Sequence, residues 1–113
     1  MPTLQVSTNT SIVDHRQFAM DASKLVAEML GKPEMYVMVI INPECKLFFG
    51  GNDDPAALLS LHSLGLPEAQ IKTFSERLCG FINQHLGISA ERIYINFESP
   101  PRTHWGWNNT TFA

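Results

Sequence analysis

Ala57-Leu58-Leu59-Ser60-Leu61-His62-Ser63 decides the architecture. Leu59 and Leu61 alternate with polar Ser60 and His62, the period of a strand with one apolar face. The stretch also lies where a second strand belongs if the chain is a tandem repeat. Leu86-Gly87 precedes the apolar segment 92–97 as Leu30-Gly31 precedes the segment 35–41, and the two glycines are 56 positions apart. Shifting the first strand-like segment, 2–7, by that offset lands it within 57–63.

Between these strands the period changes to that of a helix. Phe18, Ala22, Leu25 and Met29 recur at steps of four, three and four, on one helical face that Gly31 ends as a left-handed cap. Ser11 and Asp14 have the spacing of a capping box, with Asp in place of Glu or Gln. In the second half, Pro67 stands near the first turn and Ile71, Phe74, Leu78 and Ile82 form the apolar face. Segment 35–41, rich in β-branched and apolar residues, suits a strand buried on both faces.

Two tandem βαβ units predict an α+β fold: a four-stranded mixed sheet with both helices on one face, since right-handed crossovers place each helix on the same side. The other face, expected to hold Tyr36, Met38, Ile40, Leu59, Leu61 and Ile93 or Ile95, would then meet water. An apolar face of that size marks an oligomer interface, so a homo-oligomer is expected.

Bulk composition is consistent with one domain over residues 1–113, with halves of about 1–56 and 57–113. Of the residues, 44% are hydrophobic, enough for one core. The net charge of -3 comes from interspersed acids and bases, without the basic stripe that nucleic acid requires. Cys45 and Cys79 show no CxxC or metal-ligand spacing and read as reduced, small core hydrophobes. The first residues lack a secretory pattern, and no apolar run approaches the roughly 20 residues of a membrane helix. A cytoplasmic protein is expected. The sequons at Asn9, Asn108 and Asn109 read as chance.

Removal of Met1 ahead of a small second residue would leave Pro2 with a secondary amine, a candidate base. An α-amino group titrates near 7.7–8.0, leaving only about a tenth unprotonated at pH 7. The site must therefore depress it, by burial or a neighbouring cation. Lys32 supplies such a cation, or else a favourable charge at a helix C-terminus. His62 reads as a structural histidine and Tyr94 as packing with an edge hydroxyl. His15, His85 and His104 have no ligand-like spacing, and Asp53-Asp54-Pro55 reads as a turn. The tail 105–113, with three aromatics at a terminus, is expected to dock rather than fray.

In order and spacing, Met-Pro, Gly31-Lys32-Pro33, Phe49-Gly50-Gly51, Pro55-Ala56-Ala57-Leu58, Ser60-Leu61-His62-Ser63-Leu64-Gly65, Leu78-Cys79-Gly80, Tyr94-Ile95-Asn96 and Gly106-Trp107-Asn108-Asn109-Thr110-Thr111-Phe112-Ala113 resemble the macrophage migration inhibitory factor family. The resemblance spans nearly the whole chain. It implies a homotrimer with short interface strands and active sites between subunits. It implies a cofactor-independent tautomerase, with Pro2 moving a proton between the enol and keto forms of an α-keto acid such as phenylpyruvate, or of a dopachrome ester. Lys32 and the backbone at Leu64 would hold substrate oxygens. Tyr94 and Asn96 would come from the next subunit, and Tyr36, Trp107 and Phe112 would form the aromatic surround. Trp105 stands where a small aliphatic is frequent and would narrow the mouth. Ala56-Ala57-Leu58-Leu59 replaces a vertebrate CxxC, so no thiol oxidoreductase activity is expected. No metal is implied. The alternative reading is a cytokine-like signalling or binding protein with a vestigial pocket, exported without a signal peptide.

Overall fold

Asp14 starts the first helix. In the computed structural model, which describes residues 1–113, its carboxylate accepts from the Gln17 N–H at 3.1 Å, and α1 runs His15–Leu30. The cap is thus Asp14 itself and not Ser11, which lies in the preceding loop; a carboxylate in this place also complements the helix N-terminal dipole. Phe18, Ala22, Val26 and Met29 are buried, so Val26 rather than Leu25 continues the stripe, with Leu25 only partly covered at its flank. Gly31 ends the helix at φ 61°, its N–H bonding back to Ala27 and Glu28, while the Lys32 N–H donates to the Ala27 carbonyl at 3.1 Å.

The strands are β1 Thr3–Thr8, β2 Met38–Asn42, β3 Ala57–His62 and β4 Ile93–Glu98. β2 begins later than expected because 3-10 turn Glu34–Tyr36 intervenes, started by Pro33 at φ -60°. A matching turn, Ala90–Arg92, delays β4. The second helix, α2, runs Ile71–Leu86. His15 maps to Ile71 and Leu30 to Leu86, 56 positions in each case.

The four strands form one mixed sheet in the order β2-β1-β3-β4, with β1 antiparallel to β3 and the outer pairings parallel. Leu4, Val6, Leu59, Leu61 and Ile93 meet Phe18, Val26, Phe74, Leu78 and Ile82 in one core. Glu28 pairs with Arg77 at 2.9 Å, and Phe18 packs on Phe81 with ring centroids 5.2 Å apart, so both helices share that face.

Leu59, Leu61 and Ile93 were expected on the uncovered face and lie instead beneath the helices. Register explains why: they share parity with Leu4 and Val6, whereas the uncovered face carries the rows Met38-Thr3-His62-Glu98, Ile40-Gln5-Ser60-Asn96 and Asn42-Ser7-Leu58-Tyr94. Its middle is polar, with apolar groups gathered at Met38 and Ile40 on one edge and Leu58 and Tyr94 on the other. β2 is likewise not buried on both faces; as an edge strand with helices on one side it leaves Met38 58% exposed.

Two further features shape the surface. The tail folds into a hairpin of β5 Gly106–Trp107 and β6 Thr110–Thr111, with Asn108 and Asn109 both at positive φ, the requirement of a type I′ turn. The loop between β2 and β3 is held by Asn9, whose amide donates to the Leu47, Asp53 and Asp54 carbonyls, and by Arg92, which donates to the Phe49, Asp54 and Pro55 carbonyls. Cys45 lies in this loop rather than in the core, its thiol donating to the Asn42 carbonyl; Cys79 is half-buried on α2. No helix is long and apolar enough to cross a membrane.

Candidate active site

Segments distant in sequence meet at the start of β1. Pro2 leads into that strand and is fully buried, its carbonyl accepting from the Met38 N–H at 3.0 Å. The left-handed turn at Gly31 places Lys32 beyond the last turn of α1, and its side chain leaves the helix: Nζ donates to the Leu64 carbonyl at 2.6 Å. Of the two roles open to Lys32, the one beside the chain terminus is favoured by its proximity to the Met1 amine, which its charge helps to hold low.

Leu64 is buried in the loop after β3. Its carbonyl is engaged by Lys32, but its N–H has no backbone acceptor. That donor is open to a ligand oxygen.

A cavity of about 240 Å³ opens at this point, lined by Met1, Tyr36, Trp105, Trp107 and Phe112 with Thr3, Met35 and Met38. Tyr36 meets Trp107 edge-on at 5.6 Å, and Trp107 stacks on Phe112 at 5.7 Å. These contacts dock the tail, as expected from its aromatic content. Trp105, half-buried, also walls a more polar neighbouring cavity with His62, Glu98 and His104. His62 Nε2 lies 3.7 Å from a Glu98 carboxylate oxygen.

The electrostatics favour a neutral amine. Burial, then the Lys32 charge, then its hydrogen bond hold the Met1 amine down from 8.0 to about 6. While Met1 is attached, the Pro2 nitrogen is a tertiary amide and has no basic lone pair. Lys32 is itself lowered, first by burial and then by the charge of Arg102.

Tyr36, Trp105, Trp107 and Phe112 therefore line one cavity at the chain start, next to Pro2 and the bond between Lys32 and Leu64, and Tyr94 and Asn96 lie elsewhere. Tyr94 shares a row with Ser7, four residues along β1 from Thr3 and two strands across, roughly 13 Å by 10 Å away. It is 64% exposed and packs on Phe49 at 4.6 Å beside a second apolar cavity lined by Phe48 and Leu58. Asn96 is exposed on the uncovered sheet face. Arg102 was not singled out from the sequence. Its Nε donates to the Phe112 carbonyl at 2.9 Å, and the one signal for it was a cation between a proline pair and an aromatic tail.

Comparison with known proteins gives a consistent result. Residues 1–113 match the family model described as macrophage migration inhibitory factor (MIF). The macrophage migration inhibitory factor of Mus musculus is 37% identical over 115 aligned residues, covering 100% of both chains. A homolog from Trichuris trichiura is 40% identical, over 99% of this chain and 100% of the other. Among solved structures, the homologue from Prochlorococcus marinus superposes with a TM-score of 0.93 at 37% identity, covering 98% of this chain and 99% of that one. The Trichinella spiralis protein gives 0.91 at 36%, covering 96% and 98%.

Proposed function

Given that the chain belongs to the macrophage migration inhibitory factor family, we propose that it is a cofactor-independent tautomerase of α-keto acids such as phenylpyruvate, with Pro2 as its base. One observation carries the reading: an amine at this terminus is held near pH 6 beside Lys32 in an aromatic pocket. Removal of Met1 frees the Pro2 nitrogen one residue further in, where the same surroundings and Lys32 disfavour its ammonium form. From the keto side, neutral Pro2 takes a proton from the carbon beside the carbonyl. The electron pair moves onto the carbonyl oxygen, which then accepts the proton that Pro2 gives up. Lys32 and the Leu64 N–H stabilise the oxyanion and carboxylate, and Tyr36, Trp107 and Phe112 exclude water.

The same reading makes the protein a homotrimer in which Tyr94 and Asn96 of one chain complete the pocket of the next. It gives a purpose to the exposed Tyr94, Leu58 and Phe48, which lie away from their own Pro2. The test is a phenylpyruvate tautomerase assay on protein whose terminus is verified by intact mass. Processed protein should turn over. Protein retaining Met1, and Pro2→Gly, should lose about 10²-fold or more with the trimer intact. Equal activity in all three would remove Pro2 as the base.

A second reading follows from the relatives' name, which describes an effect on macrophages. A signalling protein of this kind would bind a receptor equally well when Pro2 is chemically blocked.

A further inference from the structure

Arg102 opens 3-10 turn Arg102–His104, which carries the chain from β4 into the aromatic hairpin. Its Nε bond to the Phe112 carbonyl fixes the guanidinium beside one wall of the pocket. A guanidinium has five N–H donors in a planar fork. This bond uses one of them and leaves both terminal nitrogens without a protein acceptor.

Neither Arg102 nor Lys32 has a carboxylate within 4.0 Å; the ion pairs of the chain join His62 to Glu98, Arg77 to Glu28 and His85 to Asp21. Two cations without an acid thus stand behind residues that line one aromatic pocket, Arg102 on Phe112 and Lys32 beside Met1, in a chain where 11 acidic residues outnumber 8 Lys and Arg. They repel each other, as the lowered Lys32 shows, burial being the larger cause and Arg102 the next. An anion between them relieves that repulsion.

We propose that Arg102 is a second carboxylate-binding residue of this site and grips the carboxylate of an aryl α-keto acid together with Lys32. The inference rests on the keto-acid reading of the pocket and adds to it the group that selects a free acid over an ester. The two cations have different anchors and different geometries. Lys32, bonded to Leu64 and close to the terminal amine, is a point charge at the reacting end. Arg102, bonded to Phe112, offers a planar fork whose two free ends match the two oxygens of a carboxylate.

Calorimetric titration of phenylpyruvate and its methyl ester into processed wild type, Arg102→Gln and Arg102→Lys tests this. Arg102→Gln should weaken the acid about tenfold or more and change the ester by less than about twofold, while Arg102→Lys, which keeps charge without the fork, recovers part of the loss. Equal weakening of acid and ester would mean that Arg102 acts through the Phe112 wall alone and overturns the proposal, as would unchanged affinity for the acid. Calorimetry needs no turnover. If Arg102 governs acid binding in a protein that does not move the proton, the tautomerase reading falls and this one stands. Turnover by wild type with unaltered acid affinity in Arg102→Gln removes Arg102 alone.

Discussion

Lys32 Nζ donates to the carbonyl of Leu64 at 2.6 Å, tying the end of α1 to the loop after β3. The bond joins the two βαβ halves where the chain begins. It also fixes a positive charge near the terminal amine and helps to hold that amine low, so one lysine serves architecture and electrostatics together.

That placement sets a pH dependence. The terminal amine is lowered to about 6, chiefly by burial and next by Lys32. Once Met1 is removed, the same burial and the same Lys32 act on the Pro2 amine, and only its neutral form takes a proton, so kcat/KM should rise with pH through an ionisation held below the ordinary value for a prolyl amine. Lys32→Gln removes the cation that disfavours the ammonium and leaves burial in place. The ionisation should therefore move up, though not the whole way to that of an exposed prolyl amine, and KM for the keto acid should rise as well. The pH-rate profiles of both proteins check this; a downward shift, or none, contradicts the assigned role. Folding stability should respond with the same sign. The unfolded chain binds the proton below about 8 and the folded chain only below about 6, so stability rises with pH across that window.

Leu78, on α2, is fully buried in the core and is not among the residues that line the pocket. Leu78→Ala should cost about 2–5 kcal/mol of stability, through lost burial and the cavity left behind. Urea unfolding measures the cost. Turnover per folded molecule should be unchanged, which separates the core from the site.

How much of this was legible in the sequence depended on whether neighbours along the chain or across it decide a residue's fate. The 56-residue offset located α2 because helix periodicity and a glycine cap are local. The face occupied by Leu59 and Leu61 was misassigned because it depends on register with Leu4 and Phe97, set by pairing between distant strands. Pro2 and Lys32 were recognisable from the Met-Pro start and the Gly31-Lys32-Pro33 turn. Arg92 and Asn9, which hold the loop beside Tyr94, escaped notice since their partners are backbone carbonyls about forty positions away and carry no side-chain signature.

Trp105 walls both the aromatic pocket and the polar cavity containing His62 and Glu98. Trp105→Val should merge the two spaces. Small aryl substrates would lose contact area and bulky ones gain room, so kcat/KM for phenylpyruvate relative to a naphthylpyruvate should fall by about tenfold. An unchanged ratio would show that the indole does not restrict the mouth.

The separation of Asn96 from Pro2 within one chain leads to a test of shared sites. If each pocket takes Pro2 from one chain and Asn96 from the next, Pro2→Gly and Asn96→Ala are each inactive as pure trimers but complementary when mixed. Unfolding and refolding them together in equal amounts assembles subunits at random around the ring. A working pocket then needs an Asn96→Ala chain, which retains its proline, followed by a Pro2→Gly chain, which retains its asparagine. Each condition is met half the time, so about a quarter of wild-type sites should return. Variants mixed without unfolding should stay inactive if the trimer does not exchange subunits. A site built within one chain predicts no recovery under either protocol, because no single polypeptide in the mixture carries both residues.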